Sequence, residues 1–192
     1  MTMNLVLKTP PATTPVSLVE AKAHLNELRS IDDDYIGTLI DVATEQAEEI
    51  TGRQLVTATY ELYMDELPYS FELPKPPMAS VTSIEYIPDG QEAFATLDSA
   101  LYMVGKGDVT EIVRHPDATY PDVENIIDGV RVTFVCGYGE GKDVPASIRH
   151  WIKKRVATLY EMREEVTVGV KAEAAENDYD RYLLGKYKVR WL

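Results

Sequence analysis

Apolar residues recur at helical spacing in the first quarter of the chain. Ser17 and Glu20 have the separation of a capping box, in which each side chain accepts the other residue's backbone N–H, and the pattern predicts a helix over residues 17 to 28. A second helix is predicted after the acidic run "IDDD", and Gly52 stands where a left-handed C-terminal cap belongs. The apolar faces hold Leu18, Ala21, Leu25 and Leu28 in the first helix, and Ile36, Leu39, Ile40, Ala43, Ala47 and Ile50 in the second.

From about residue 55, apolar residues alternate with polar ones, as they do in β-strands. Six short runs rich in β-branched and aromatic residues are separated by Pro, Gly and Asp. They are "TATYELYMDEL", "SFELP", "SVTSIEYIP", "LYMVG", "VTEIVRH" and "GVRVTFVCGYG". Because no helix lies between them to make a parallel crossover, the runs predict a small antiparallel sheet or a sandwich of hairpins.

Helical spacing returns after residue 143, in "DVPASIRHWIKKRVATLYEMREE". Asp143 is expected to cap this helix, and Pro145 suits its first turn. The apolar face of the helix holds Ile148, Ile152, Val156 and Leu159.

These elements predict an α+β fold. Its helical core consists of the N-terminal helix pair and the long helix after residue 143, with a small antiparallel β region inserted at about residues 55–137. Residues 1–165 are expected to form a single domain. Residues 166–192 are expected to form an extended C-terminal arm that leaves this domain.

The composition fits a globular protein with a strong negative charge. The chain has 192 residues, with 19 Lys and Arg against 32 Asp and Glu, and a formal net charge of -13. Because nucleic-acid binders neutralise phosphates with Lys and Arg, this charge disfavours a protein that wraps nucleic acid. It is compatible with a basic partner, or with a wall past which DNA moves without adhering.

The sequence predicts a protein that folds in a reducing cytoplasm. Its start, "MTMNLVLKTPPATTP", lacks the basic segment and cleavage site of a secretory signal, and no apolar run approaches the roughly 20 residues of a membrane helix. Cys136 is the single cysteine, which excludes an internal disulfide and disfavours structural zinc. Since it alternates with Val132 and Phe134, it is expected in the core.

No set of residues predicts a catalytic site, a metal site or a cofactor. The loop "GYGEGKD" has Lys142 where a dinucleotide-binding fingerprint needs a third glycine, and a strand-to-helix turn is the better interpretation. His24, His115 and His150 lack the spacing of a metal pair, and helix capping explains the carboxylates of "IDDD". An enzyme with a small-molecule site in the β region is disfavoured, because no convergent nucleophile, base or ligand set can be named.

A cationic patch lies on the last predicted helix. It consists of Lys153, Lys154 and Arg155, preceded by Arg149. Such a patch suits a nucleic-acid face, but the acidic remainder of the chain favours a solvated or subunit-facing helix surface. A DNA-binding or other intracellular interaction module without catalytic activity is therefore the alternative function.

The chain ends in "YLLGKYKVRWL", a basic and aromatic tail that is unlike the acidic body. A segment this apolar is not expected to lie free in solvent at the end of the chain. It either folds back on its own domain or docks into another protein. Docking is favoured, because aromatic and Arg side chains anchor interfaces and the lysines suit an acidic groove. The predicted partner-binding residues are Tyr182, Leu183, Leu184, Lys186, Tyr187, Lys188, Val189, Arg190, Trp191 and Leu192.

The order of these segments resembles that of the head-tail connector (adaptor) proteins of long-tailed double-stranded DNA phages and of the related gene transfer agents. The resemblance spans about residues 16–192. It rests on the combination of "TGRxL", "LPxPPxxSVxSIxY", "GYGxxxxVPxxI", "LYExRE" and "LLxxYxV", where x is any residue.

The resemblance implies a non-enzymatic structural virion protein without a cofactor. Such a protein forms a ring, expected to be a dodecamer, beneath the portal and links the DNA-filled capsid to the tail or the next completion protein. The implied partners are the portal protein, further copies of the chain itself, and a downstream stopper or tail-completion protein. Genomic DNA would pass through the lumen without sequence-specific binding, and no membrane is involved.

The resemblance also implies a place and a role for the tail. The arm of residues 166–192 would dock onto the portal, so the ten tail residues named above become portal-binding residues. The protein would reside at the head-tail interface of the virion, and in the host cytoplasm during assembly.

Overall fold

The computed structural model describes residues 3–27, 29–162 and 182–189. They form two compact units: a β unit of the N-terminal residues up to Pro11 with Thr57–Gly137, and a helical unit of Ala12–Val56 with the described residues after Gly137. The β segment is therefore inserted in sequence between helices that pack together. Helices combined with antiparallel sheets confirm the predicted α+β class.

In the described residues, the helical unit contains the helices α1 (Leu18–Leu25), α2 (Asp33–Thr51) and α3 (Ala146–Glu161), and a short helical stretch over residues 182–184. Most apolar residues of the predicted faces of α2 and α3 are buried, which confirms these faces. Ile50 and Leu159 are only partly buried and pack against the same core. Buried members of this core include Val16, Ala21, Ile36, Ile40, Ala43, Ala47, Leu55, Ile148, Trp151, Ile152 and Val156.

Local chemistry sets the ends of α1 and α2. Ser17 and Glu20 form the predicted capping box at the start of α1. Asn26 adopts the left-handed conformation with φ 55°, which ends α1 at Leu25, before the expected residue 28. Gly52, with φ 71°, caps the C-terminus of α2 as predicted.

The start of α3 differs from the prediction. The N-cap position belongs to Pro145, and Asp143 lies in the preceding turn of 3₁₀ helix. The carboxylate of Asp143 accepts the backbone N–H of Glu140 at 2.9 Å, so it caps this turn and not α3.

The β unit contains two antiparallel sheets, as the alternating pattern predicts. The five-stranded sheet has the order β1-β2-β8-β4-β5, and the three-stranded sheet has the order β3-β7-β6. The strands are β1 (Met3–Thr9), β2 (Ala58–Met64), β3 (Ser70–Leu73), β4 (Met78–Tyr86), β5 (Ala95–Thr96), β6 (Tyr102–Val104), β7 (Thr110–Arg114) and β8 (Val130–Cys136).

The centre of the five-stranded sheet is the β2–β8 pair. Tyr60 stands opposite Phe134, and their rings stack with centroids 6.0 Å apart. Along β2 every second residue is buried, which is the period-two pattern of a half-covered sheet. Cys136 is buried in β8, so its predicted place in the core is confirmed.

Strand β1 was not expected from the sequence. It is an edge strand paired with β2, and six of its seven residues are exposed. A strand that buries almost no side chain has no reason to alternate apolar with polar residues, so it carries no period-two signal.

Candidate partner-docking site

The described part of the C-terminal tail lies against the helical unit. Residues 182–184 are helical and continue into a 3₁₀ helix over Gly185–Tyr187. Leu184 is fully buried in the helical core, while Leu183 and Tyr187 pack against the same core. This part of the tail therefore belongs to the hydrophobic core of its own unit.

The C-terminal turn of α2 holds the end of this segment. The backbone N–H of Val189 donates to the carbonyl oxygen of Thr51 at 2.8 Å. Nε of Arg53, a side chain that is largely buried, donates to the carbonyl oxygen of Tyr187. A Cβ atom built on Gly52 would lie 3.5 Å from Cβ of Val189. We call Thr51, Gly52 and Arg53 together the tail seat.

The opposite side of the tail faces solvent. Tyr182 is 83% exposed, and Lys186 and Lys188 are exposed as well. Nζ of Lys186 lies 4.8 Å from the centroid of the Tyr187 ring, a cation–π distance. The exposed side therefore presents two lysines and aromatic surface, the chemistry that suits an acidic partner.

The ten residues predicted to bind a partner thus divide into groups. Leu184 and Val189 face the chain's own core, and Leu183 and Tyr187 are half-buried there. The side chains of Tyr182, Lys186 and Lys188 are accessible. Arg190, Trp191 and Leu192 lie outside the described residues.

Sequence reasoning identified Gly52 as a helix cap, but it did not find the tail seat. Arg53 and Tyr187 are 134 residues apart, and no local pattern connects them. Arg53 directly follows the glycine that ends α2, where the chain changes direction. This position gave only a weak indication that Arg53 contacts another segment.

The loop "GYGEGKD" is filled by the chain's own atoms. A Cβ atom on Gly141 would lie 2.3 Å from the carbonyl oxygen of Thr14, and one on Gly139 would lie 2.6 Å from Oδ2 of Asp143. Lys142 pairs with Glu140 at 3.0 Å. With glycines packed this closely, the loop has the geometry of a tight turn and does not open to a phosphate.

The fold brings together two histidines that are far apart in sequence. The rings of His24 and His150 meet edge to face with centroids 6.5 Å apart. Burial lowers the pKa of His24, and the positive charges of Lys153 and Lys154 lower it further. Such cationic surroundings disfavour a metal ion, and no group of three or more His, Cys, Asp or Glu in the described residues could hold one.

Two of the three carboxylates of "IDDD" are engaged within the fold. Asp32 is the N-cap residue of α2, but its carboxylate accepts the hydroxyl of Tyr160 at 2.7 Å instead of a backbone N–H of the helix. Asp33 pairs with Lys22 at 2.5 Å. The predicted helix-terminal placement is correct, whereas the side-chain cap at Asp32 is not formed.

Two arginines of the cationic patch make contacts inside the helical unit. Arg149 binds Glu20 and donates to the carbonyl oxygen of Pro15 at 3.0 Å. Nε of Arg155 donates to the side-chain oxygen of Gln46 at 2.8 Å. These contacts hold both arginines against the helical unit, and the ion pair with Glu20 offsets the charge of Arg149.

Solved structures with this fold come from gene transfer agent (GTA) particles. A chain from the neck of an empty GTA particle, computed with C6 symmetry, has a TM-score of 0.74 and 19% identity, and the match covers 100% of this chain and 98% of that chain. A chain from the virion of a native GTA particle has a TM-score of 0.74, 17% identity and the same coverage. A chain from the neck of a native GTA particle, computed with C12 symmetry, has a TM-score of 0.70, 18% identity and again the same coverage.

At this level of identity the similarity shows a shared fold over the whole chain. The sequence matches no protein-family model and no curated protein. In the described residues, no helix is both long and apolar enough to span a membrane.

Proposed function

We propose that this chain is a structural virion protein of the neck: a head-tail adaptor that forms a ring beneath the portal. The observation that carries the proposal is the fold shared over the full chain with chains of GTA necks and virions. The ring joins the DNA-filled capsid to the tail or to the next completion protein. Its place is the virion, after assembly in the host cytoplasm, and the proposal includes no catalytic activity and no cofactor.

The partners follow from a ring in this position. Copies of the chain contact one another head to tail, because one contact repeated around a closed rotation generates a ring. The C6 and C12 symmetries of the similar necks support a ring of many copies, and we expect twelve. The portal protein lies above the ring, and a stopper or tail-completion protein lies below it.

The charge of the chain suits a channel that DNA passes through. A net charge of -13 repels phosphates, so a duplex in the lumen would slide without adhering. The ion pair of Arg149 with Glu20, which offsets one charge of the cationic patch, supports this role over the DNA-binding alternative.

In this proposal the C-terminal tail binds the portal. Leu184 and Val189 anchor the tail on the helical unit, and the tail seat fixes its direction. The contact with an acidic portal groove is made by the accessible Tyr182, Lys186 and Lys188, and by the last three residues, 190–192. Docking through Tyr182, Lys186 and Lys188 then uses the exposed side of residues 182–189, which are already folded.

The test compares two double variants with the same change in charge. Lys186→Glu with Lys188→Glu should weaken binding of the full-length chain to its purified portal by roughly ten-fold or more, because two favourable charge contacts become repulsive. Lys75→Glu with Lys106→Glu, which changes two cations of the β unit, should leave the affinity within about two-fold. Binding is measured by biolayer interferometry at fixed salt.

The outcomes separate the parts of the proposal. If the wild-type chain does not bind the portal, the adaptor function is wrong. If it binds and both double variants weaken binding equally, the effect is one of overall charge and the tail is not the docking site.

A further inference from the structure

Arg114 ends β7 at the edge of the β-unit core, in an incomplete site. It is two residues beyond the fully buried Ile112 on the same face of the strand, which explains why its side chain is partly desolvated. The central carbon of its guanidinium lies 5.1 Å from the ring centroid of Tyr69 and 5.9 Å from that of Tyr120. The positive charge is therefore flanked by two aromatic rings.

One nitrogen of this guanidinium lacks an acceptor in the described residues. Nε of Arg114 is buried and has no hydrogen-bond partner in the described part of the chain. A cationic donor that is removed from water without an acceptor destabilises the fold, so natural proteins seldom leave one in this state. An Arg in this position is best explained by an acceptor that another molecule brings.

Arg131, in the same unit, shows what a complete site of this kind contains. Its guanidinium carbon lies 4.5 Å from the centroid of the Phe94 ring, and its nitrogens bind the carboxylate of Glu85 at 2.9 Å. Arg114 has the aromatic part of the arrangement, but no carboxylate of the described residues binds its Nε. The missing group is therefore a planar anion that matches the guanidinium fork.

The site is open enough to receive such a group from outside. Tyr69 is 57% exposed, and Thr119, the neighbour of Tyr120, is exposed. Tyr120 is partly buried and packs against the core of the β unit, so its ring forms the inner wall. The same burial raises the pKa of Tyr120. Arg and Tyr are the side chains that most often dominate the binding energy of protein interfaces.

We propose that a carboxylate from a neighbouring copy of this chain binds Arg114, between Tyr69 and Tyr120, as part of the contact between subunits. This inference rests on the proposed function, because it needs a ring of copies. Charge identifies the occupant: with 32 Asp and Glu against 19 Lys and Arg, copies repel unless their contacts pair cations with surplus carboxylates. A DNA phosphate is disfavoured, because DNA carries no cations that could offset repulsion by this acidic chain, whereas a copy of the chain brings both charges.

The experiment uses a photo-crosslinking residue, p-benzoylphenylalanine, at Thr119 in the full-length chain. It is irradiated both as purified protein and in complex with the portal. A crosslinked product of twice the 21.6 kDa subunit mass is expected on a denaturing gel. Arg114→Met, which keeps the apolar stem and removes the charge, should lower its yield roughly ten-fold. Lys106→Met removes one exposed charge from the same unit and should leave the yield unchanged.

A second measurement separates this role from a role in the chain's own fold. At a concentration low enough that the irradiated wild-type chain gives no crosslinked dimer, the melting temperature of Arg114→Met should stay the same or rise, because the substitution removes a desolvated charge. The inference is overturned if crosslinks form only with another protein or with DNA, or if none form in either sample. It is also overturned if the variant melts at a clearly lower temperature, or if Lys106→Met lowers the yield as much.

The result is distinguishable from failure of the proposed function. A chain that crosslinks to itself through this site but never binds a portal would keep the inference and refute the adaptor proposal. A chain that binds the portal with an unchanged crosslinking pattern in Arg114→Met would do the reverse.

Discussion

At the scale of single residues, the arginines show how this acidic chain uses its few cations. Arg53 binds the tail, Arg131 binds Glu85, and Arg149 binds Glu20. The hydrogen bond from the backbone N–H of Ser17, together with Arg149, lowers the pKa of Glu20. These three arginines stabilise the fold itself. A cation that has no such partner within its own chain is therefore a candidate for binding another molecule.

Leu184 provides the residue-scale prediction. Leu184→Ala should lower the free energy of unfolding by about 2–5 kcal/mol, because it removes a fully buried side chain and leaves a cavity in the helical core. Tyr182→Ala, two residues earlier and 83% exposed, should change it by at most about 0.5 kcal/mol. Urea denaturation followed by circular dichroism measures both. Equal midpoints for the two variants would mean that the tail does not contribute to the core.

At the scale of elements, α2 joins the core to the tail. Its apolar face packs against α3, and its C-terminal turn supplies the tail seat. The left-handed Gly52 ends the helix, so the chain turns there and the tail seat forms directly after α2. A Cβ at this position would make only ordinary van der Waals contact with Val189, so the positive φ, and not a lack of space, is the reason for glycine. The same element thus positions the candidate docking segment.

Two glycines of α2 should respond to alanine in opposite directions. Gly37 lies inside the helix with no atom within 4 Å of a built Cβ, so Gly37→Ala should stabilise the chain by about 0.5–1 kcal/mol. Gly52 has φ 71°, so Gly52→Ala should destabilise it by about 1–2 kcal/mol through backbone strain. Chemical denaturation measures both changes. A shift of the same sign in both variants would contradict the assigned end of α2.

The elements also show where sequence patterns succeed. The helices α2 and α3 and six strands follow from their periodicity, because a buried face repeats every 3.6 or every 2 residues. The strands β1 and β5 escaped prediction: β1 is almost wholly exposed, and β5 has two residues. Without a buried face, neither strand leaves a pattern in the sequence.

At the scale of the whole molecule, the net negative charge opposes binding to DNA. The excess of carboxylates disfavours any tight contact with DNA. A protein that lines a DNA channel and a protein that binds DNA therefore differ in one measurable property, which is their affinity for a DNA duplex at low salt.

We expect no binding of a 30-base-pair duplex by the full-length chain at about 0.1 mM protein in low salt. Even non-specific DNA-binding proteins reach dissociation constants of about 10⁻⁴ to 10⁻⁶ M at physiological salt, and lowering the salt strengthens them further. Fluorescence anisotropy of a labelled duplex measures this. Binding that weakens steeply as salt is added would favour the DNA-binding alternative and contradict the proposed channel wall.

The sequence alone determined the helix periodicity, the capping box, the antiparallel strands and the acidic charge. Each of these depends on composition or on residues within a few positions of one another. Only the tertiary structure decided that the tail rests on α2, that His24 meets His150 and that Arg149 binds Glu20. Those contacts join residues more than 100 positions apart, as with the 134 between Arg53 and Tyr187 and the 129 between Glu20 and Arg149. Packing of whole elements chooses such partners, and no local pattern records the choice.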